Sequence, residues 1–213
     1  MKQLVYATTN SGKFQEVKKF LVARGIMIHS PSEFGVEIDV EESGNTLEEN
    51  ATLKAEVFRN ALPDECIVIG DDTGVEIDAL GGEPGIRVRR WIGETMTDQE
   101  IIDYCIKRME NVPSRARFAQ FRTVIAVATK GTSTRTFDGI LPGHIVETPT
   151  PLKIKGFPFE SLFYADEYEM MLGEIHQLPT QQRTDNQELI TNNILTHRER
   201  AITQALSHLR KVI

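Results

Sequence analysis

Cys66-Ile67-Val68-Ile69-Gly70-Asp71-Asp72-Thr73-Gly74 opens as a continuous β-prone apolar run and breaks into a glycine and two adjacent acids. A run of this kind, bounded by turn-forming residues, reads as a buried strand. The acid pair is therefore expected at the strand's C-terminal end, where carboxylates usually face a cleft. Upstream, Thr46-Leu47-Glu48-Glu49 matches a capping box, and Leu47, Ala51, Ala55, Phe58 and Leu62 form one apolar stripe behind it. That pattern predicts a helix over about residues 47–61. Further back, residues 4–7 read as a short buried strand. The polar stretch Thr8-Thr9-Asn10-Ser11-Gly12 follows, then Phe14, Val17 and Leu21 at helical spacing. The order is strand, loop, helix.

Downstream, Gly81-Gly82-Glu83-Pro84-Gly85 is a turn signal, and Thr97-Asp98-Gln99-Glu100 opens a helix through Ile101, Ile102, Cys105 and Met109. Residues 117–129 and 134–140 read as two strands joined around Lys130-Gly131. The stretch 142–163, rich in Pro and Gly, reads as loop with short extended pieces, and 177–193 as a polar loop with a possible helical fragment. Thr196-His197-Arg198-Glu199 is another capping box ahead of Ile202, Leu206 and Leu209. Helices alternating with strands indicate an α/β class.

The bulk numbers narrow the function. At 213 residues the chain is long enough for one substantial core, as a single domain over 1–213 or as two packed lobes. With 40% hydrophobic and 26% charged residues it is an ordinary globular composition. A net charge of −7 argues against a protein built to coat nucleic acid, which needs clustered Lys and Arg. No apolar run approaches the roughly 20 residues of a membrane span. Met1-Lys2-Gln3 leads into a strand and not into a secretory signal, so the expected location is cytoplasmic and no membrane partner is expected. Cys66 and Cys105 lack metal-ligand spacing and read as buried free thiols.

The loop Thr8-Thr9-Asn10-Ser11-Gly12-Lys13 lies where a helix N-terminus favours a phosphate, and Lys13 adds a full charge. It is not a P-loop, because Ala7 stands for the first Gly and Phe14 for the Ser or Thr after Lys. The same segment also reads as a capped turn bearing a surface lysine. Asp71 and Asp72 follow four apolar residues and a glycine, a costly place for two charges without compensation. They suit a shared hard cation, magnesium typically taking one or two carboxylates plus phosphate oxygens, or a turn capped by Asp. Glu41 and Glu42 are candidates for a further ligand or for a solvated loop, and Lys54 falls on the polar side of its helix, where exposure is the commoner state. His29, His144, His176, His197 and His208 form no His-Glu-x-x-His, there is no Gly-x-Ser-x-Gly, and neither cysteine lies in a nucleophile motif. Metal-assisted attack by water on an anionic phosphorus remains.

The order of the motifs is more specific than any one of them. Thr8-x-Asn10-x-x-Lys13, Glu42 with Asn50-Ala51-x-x-Lys54, Asp71-Asp72-Thr73-Gly74, Gly82-x-Pro84-Gly85 with Arg90, Gly156-Phe157 and Thr196-His197-Arg198 resemble the inosine/xanthosine triphosphate pyrophosphatase family over about residues 4–210. The resemblance implies an elongated mixed sheet flanked by helices, two lobes around a central cleft, and a homodimer. Lys13, Lys54 and the Thr8–Lys13 loop would hold the triphosphate of a non-standard purine nucleotide such as ITP, dITP or XTP. Glu42 and Asp72 would hold Mg2+, with Asp71 beside them. Asp72 would also accept the proton of a water attacking the α-phosphorus, releasing pyrophosphate, and Thr73 would touch the substrate. Arg90 would lie near the phosphates or a dimer contact.

The back half departs from that family. Gly156-Phe157-Pro158-Phe159-Glu160-Ser161 stands where the family has Gly-Phe-Gly-Tyr-Asp-Pro, leaving an aromatic wall in Phe157 and Phe159 and one carboxylate in Glu160. Asn192 stands where the family has a lysine five residues before His197. A six-position carbonyl on the base would accept from His197, Arg198 or Asn192. An unmade buried hydrogen bond costs roughly 1–3 kcal/mol, so these changes predict kept chemistry with weakened or moved base selectivity. The competing readings are a same-fold pyrophosphatase with another base preference and a nucleotide-binding regulator that does not hydrolyse.

Overall fold

The long central strand β2 (Cys66–Ile77) organises the chain in the computed structural model, which describes residues 2–178 and 194–213. In chain order the other elements are β1 (Gln3–Ala7), α1 (Ser11–Val22), α2 (Leu47–Ala61), β3 (Pro84–Gly85) and α3 (Asp98–Arg108). They continue with β4 (Phe118–Ala128), β5 (Arg135–Ile145), β6 (Phe163–Ala165), β7 (Met170–Met171), α4 (Leu172–Gln177) and α5 (His197–Val212). The described strands form a seven-stranded mixed sheet in the order β1-β2-β4-β5-β6-β7, with β3 paired to β2. The α/β expectation is met.

β1 runs parallel to β2 with Ala7 opposite Gly70, so the loop after β1 and the acid pair leave the shared ladder at one level. Parallel neighbours require a crossover, which α1 and α2 supply. Asn10 starts α1 by accepting from the backbone N–H of Gly12 and Lys13 at 2.9 and 3.1 Å. Thr46 caps α2 by accepting from Glu49 N–H, but the Glu49 carboxylate reaches Asn45 N–H instead of closing the expected box. Thr97 and Glu100 form the full reciprocal box at α3.

Two strand expectations change. The acid pair is not at the end of β2, because the strand continues through Thr73 and Gly74 to Ile77 and there pairs antiparallel with β3. β5 likewise runs on past Pro142 to Ile145. Its inward side chains alternate from Gly139 through Leu141 and Gly143 to Ile145, and Pro142 sits on the exposed side. A proline is tolerated where no ladder donor is needed, and alternation outweighs it as a signal. Gly143 is there because a Cβ would meet the Phe163 ring at 2.7 Å as β6 comes alongside.

Contacts divide the chain into two compact units, with boundaries inside β2, β4 and β5. The first comprises residues 1–73, 123–139 and 197–213. Val5, Ala7, Phe58, Leu62, Cys66 and Val68 build one of its apolar clusters. The second comprises residues 74–122 and 140–196. Its core gathers Ile101, Met109, Leu141, Phe159 and Phe163 around Phe121, whose ring meets Phe163 edge-on at 4.9 Å.

Candidate active site

Gly70 decides where the site forms. A Cβ there would lie 2.7 Å from Ala55 N, so only glycine lets α2 press its backbone onto β2. That approach sets Asn50 and Lys54, one turn apart on α2, against the acids that follow Gly70. Asn50 Nδ2 donates to Asp72 Oδ2 at 3.0 Å. Lys54 Nζ lies 2.6 Å from Glu42 Oε1, 3.4 Å from Asp72 Oδ1 and 3.0 Å from the Asp71 carbonyl oxygen. The lysine expected on an exposed face is thus drawn inward, with 13% of its side chain exposed.

Asp71 has different company. Lys13 Nζ donates to its Oδ2 at 3.0 Å, and Arg198 Nε to the same oxygen at 3.3 Å. Arg198 is fully buried; its NH1 pairs with Glu16 and its NH2 donates to Thr73 Oγ1 at 3.2 Å. Thr73 Oγ1 shares a hydrogen bond with Thr123 Oγ1 at 2.8 Å, and Thr123 shares another with His197 Nδ1 at 2.6 Å. The Tyr6 hydroxyl is buried beside this cluster, close enough to feel the Asp71 charge.

These surroundings push the neighbouring carboxyls apart. Burial raises the pKa of Asp72, and its lysines reverse this only in part, so it lies above the ordinary aspartate value. Burial acts on Asp71 too, but Lys13, Arg198 and Lys54 more than reverse it and hold its carboxyl well below that value. Lys13 is lowered by burial against the pull of Asp71, whereas for Lys54 burial is outweighed by Asp72, Asp71 and Glu42, which raise it. Tyr6 is raised well above its usual value by burial and then by the Asp71 charge. Carboxyls driven in opposite directions take different jobs. Asp71 is favoured as an anion among its cations, and Asp72 is the more readily protonated of the two.

Of the residues picked out in the sequence, Lys13, Glu42, Lys54, Asp71, Asp72, Thr73, His197 and Arg198 come together in the first unit. Thr9 and Ser11 are exposed, while Thr8 is half-buried and accepts from Asn10 N–H at 3.2 Å. Asn10 takes the Gly12 and Lys13 N–H groups for itself, so the loop's cationic character rests on Lys13. Arg198, expected at the base, is instead committed to Glu16, Asp71 and Thr73. Arg90, Phe157, Phe159 and Glu160 belong to the second unit. Arg90 is exposed, Phe157 tilts against His176 at 5.9 Å, Phe159 is core, and Glu160 pairs with His176 at 2.5 Å. Asn192 lies outside the described residues.

Sequence reading missed Glu16, Thr123 and Tyr6 and gave Asn50 no role. Glu16 had a readable signal, because Lys13 and Glu16 share the face of Val17 and Phe20 at helical spacing, and a charge on an apolar stripe needs a partner. Thr123 and Tyr6 sit in runs of buried strand residues and carry no such mark.

The donor set suits a hard divalent cation. Two carboxylates and a carbonyl oxygen converge on one point, which the Lys54 ammonium marks as a place for positive charge. Among the described residues no group of three or more His, Cys, Asp or Glu side chains forms a metal cage. Oxygen donors with few protein ligands are what magnesium accepts when phosphate completes its shell.

An α/β sheet that sets lysines against carboxylates beside parallel strands has the charges to hold an anion together with a metal ion. The chain belongs to the Ham1 family, whose profile matches residues 4–208. It is 36% identical over 175 residues to the dITP/XTP pyrophosphatase of Bacillus subtilis (strain 168), covering 82% of this chain and 86% of that one. Against the dITP/XTP pyrophosphatase of Caldanaerobacter subterraneus subsp. tengcongensis identity is 35% over 211 residues, or 99% and 98% of the two chains. Among solved structures, the Staphylococcus aureus Ham1 protein superposes with a TM-score of 0.76 at 31% identity over 99% of both chains. A HAM1 protein from Coxiella burnetii gives 0.76 at 28% identity over 99% of this chain and 100% of that one.

Proposed function

We propose that this chain hydrolyses non-standard purine nucleoside triphosphates, dITP, ITP and XTP, to the monophosphate and pyrophosphate with magnesium as cofactor. It is a hydrolase of phosphoanhydride bonds, as its relatives' names say of them. The observation that carries the reading is the meeting of Glu42, Asp72 and the Asp71 carbonyl on the Lys54 ammonium, with Lys13 of α1 on the Asp71 carboxylate.

In this reading Glu42 and Asp72 hold the magnesium ion, which supplies charge neutralisation on the phosphate oxygens. Lys13 and Lys54 bind the triphosphate and balance the charge that builds at its α-phosphorus. Asp72 takes the proton of the attacking water, a role its raised pKa favours over Asp71. Arg198 and Glu16 hold Asp71 and Thr73 in place.

In the same reading base selectivity is weakened or moved relative to a pocket built on a tyrosine, an aspartate and a lysine. In support, Phe159 is packed in the core and Glu160 is engaged by His176. We further infer a homodimer acting in the cytoplasm; no described helix is long and apolar enough to cross a membrane. Gel filtration with light scattering reads the dimer directly.

The deciding experiment incubates the protein with ITP, XTP, dITP, GTP, ATP and the pyrimidine triphosphates under magnesium, measuring pyrophosphate and orthophosphate separately. Pyrophosphate from the non-standard purines is expected. Orthophosphate as direct product would place attack at the terminal phosphorus and overturn the reading.

A further inference from the structure

We propose that Asn50 is a positioning residue that presets the two metal-binding carboxylates as one unit, tying Asp72 to the loop that carries Glu42. The proposal rests on the magnesium reading above and deepens it. Asn50 is buried, with 2% of its surface exposed, and both ends of its amide are used. Nδ2 donates to Asp72 Oδ2 at 3.0 Å, and Oδ1 accepts the Gly44 backbone N–H at 2.8 Å. Gly44 follows Glu42 by two residues, so one side chain spans from β2 to the Glu42 loop.

The chemistry of the two partners fixes which way the amide faces. A backbone N–H can only donate, so Oδ1 must face Gly44 and the NH2 group must face Asp72. Asp could serve the first contact but would set a carboxylate against Asp72; Leu could serve neither. With its Oδ2 held by Asn50, Asp72 has Oδ1 left to aim at Lys54, which Glu42 also reaches.

Two glycines make this link stiff. Gly44 is confined because a Cβ there would fall 2.6 Å from Asn50 Oδ1 and 2.7 Å from Glu49 Cβ. Gly70 lets the turn of α2 carrying Asn50 rest directly on β2, because a Cβ there would collide with the Ala51 carbonyl oxygen and fall 2.7 Å from Ala55 N. The span therefore has close backbone contact at either end. Partners that orient metal ligands typically contribute 10–100-fold in metal affinity.

The test is binding of Mn2+ alone to nucleotide-free protein, followed by the paramagnetic resonance of the free ion. Wild type, Asn50→Leu, Gly44→Ala, the double variant and Glu42→Gln are compared, with a melting curve for each. The expected result is Mn2+ binding weakened about tenfold or more in Asn50→Leu and in Gly44→Ala. The double variant should be no weaker than the worse single one, since both break the same link. Turnover in both should climb back as Mg2+ is raised, which a loss of folded protein would not allow. If Asn50→Leu fails to fold, Gly44→Ala, which leaves Asp72 untouched, decides the matter. Normal Mn2+ affinity in folded Asn50→Leu or Gly44→Ala, with Glu42→Gln impaired, overturns the role of Asn50 alone. Unchanged affinity in Glu42→Gln, or no Mn2+ binding by the wild type, overturns the metal reading itself.

Discussion

Arg198 Nε donates to Asp71 Oδ2 at 3.3 Å across 127 residues of chain. Around that contact Lys13 and Arg198 face Asp71 and Glu16, two cations against two anions in a buried setting. A buried charge is tolerated when paired, and removing one member leaves its partner exposed to the full cost of desolvation. The cluster is thus a balanced set, and its variants should behave as such.

Glu16→Gln keeps a hydrogen-bond acceptor for Arg198 but removes an anion. The loss of balance should cost about 2–4 kcal/mol, below the full cost of breaking a buried pair because one hydrogen bond survives. Urea unfolding measures it. A change under about 0.5 kcal/mol, the size of an ordinary surface substitution, would mean that the pair contributes nothing.

Asp71→Asn and Asp72→Asn should separate fold from chemistry. Asp71 has a depressed pKa, so its contribution is present above about pH 4 and is lost as acid takes the pH down through its folded value. Asp71→Asn should therefore be destabilised by about 3–5 kcal/mol at pH 7 and lose less on acidification than the wild type. Asp72 has a raised pKa, so its ionisation at neutral pH opposes folding. Asp72→Asn should melt at or above the wild-type temperature while turnover falls at least about 100-fold. The reverse pattern would exchange the two roles.

Gly139→Ala strikes α5 from below. A Cβ at this β5 position would collide with the His197 carbonyl and the Ala201 N–H, and lie 2.9 Å from the Arg200 carbonyl carbon. Overpacking of this kind costs about 1–3 kcal/mol, and the start of α5 that must shift carries His197 and Arg198. Stability and turnover should fall together. A variant that is destabilised yet fully active when folded would separate Arg198 from the chemistry.

Cys105 offers a reading in the second unit. Burial pushes its thiol up to about 12, against an unfolded value of about 8.5. Its contribution is complete below about pH 8.5 and is lost as pH rises through the folded value. Cys105→Ala should flatten the alkaline fall in stability by up to about 1.4 kcal/mol per pH unit in that window. Parallel slopes for the two proteins would show that the thiol ionises equally in both states.

Periodicity and capping carried most of the fold. Helix α2 occupies Leu47–Ala61 as its stripe and Thr46 predict, and α3 follows its Thr97-Glu100 box. What escaped depended on neighbours. β2 goes on past the acids because β3 pairs with it there, and the inward glycines of β5 mark the close approach of α5 and β6 and not a loop. Glu49 takes the Asn45 N–H while Asn50 takes that of Gly44, a pairing that the Thr46-x-x-Glu49 spacing does not announce.

The chain's order of residues determined an α/β layout, a cation-bearing loop after the first strand and a paired acid after the buried run. Those signals are local, set by spacings of two to four residues. Tertiary structure alone decided that Asp71 is held below and Asp72 above the ordinary aspartate value, and that Arg198 pairs with Asp71 and Glu16. Adjacent aspartates are indistinguishable by position. What separates them is which cations arrive, from Lys13 at 58 residues' distance, Lys54 at 18 and Arg198 at 127.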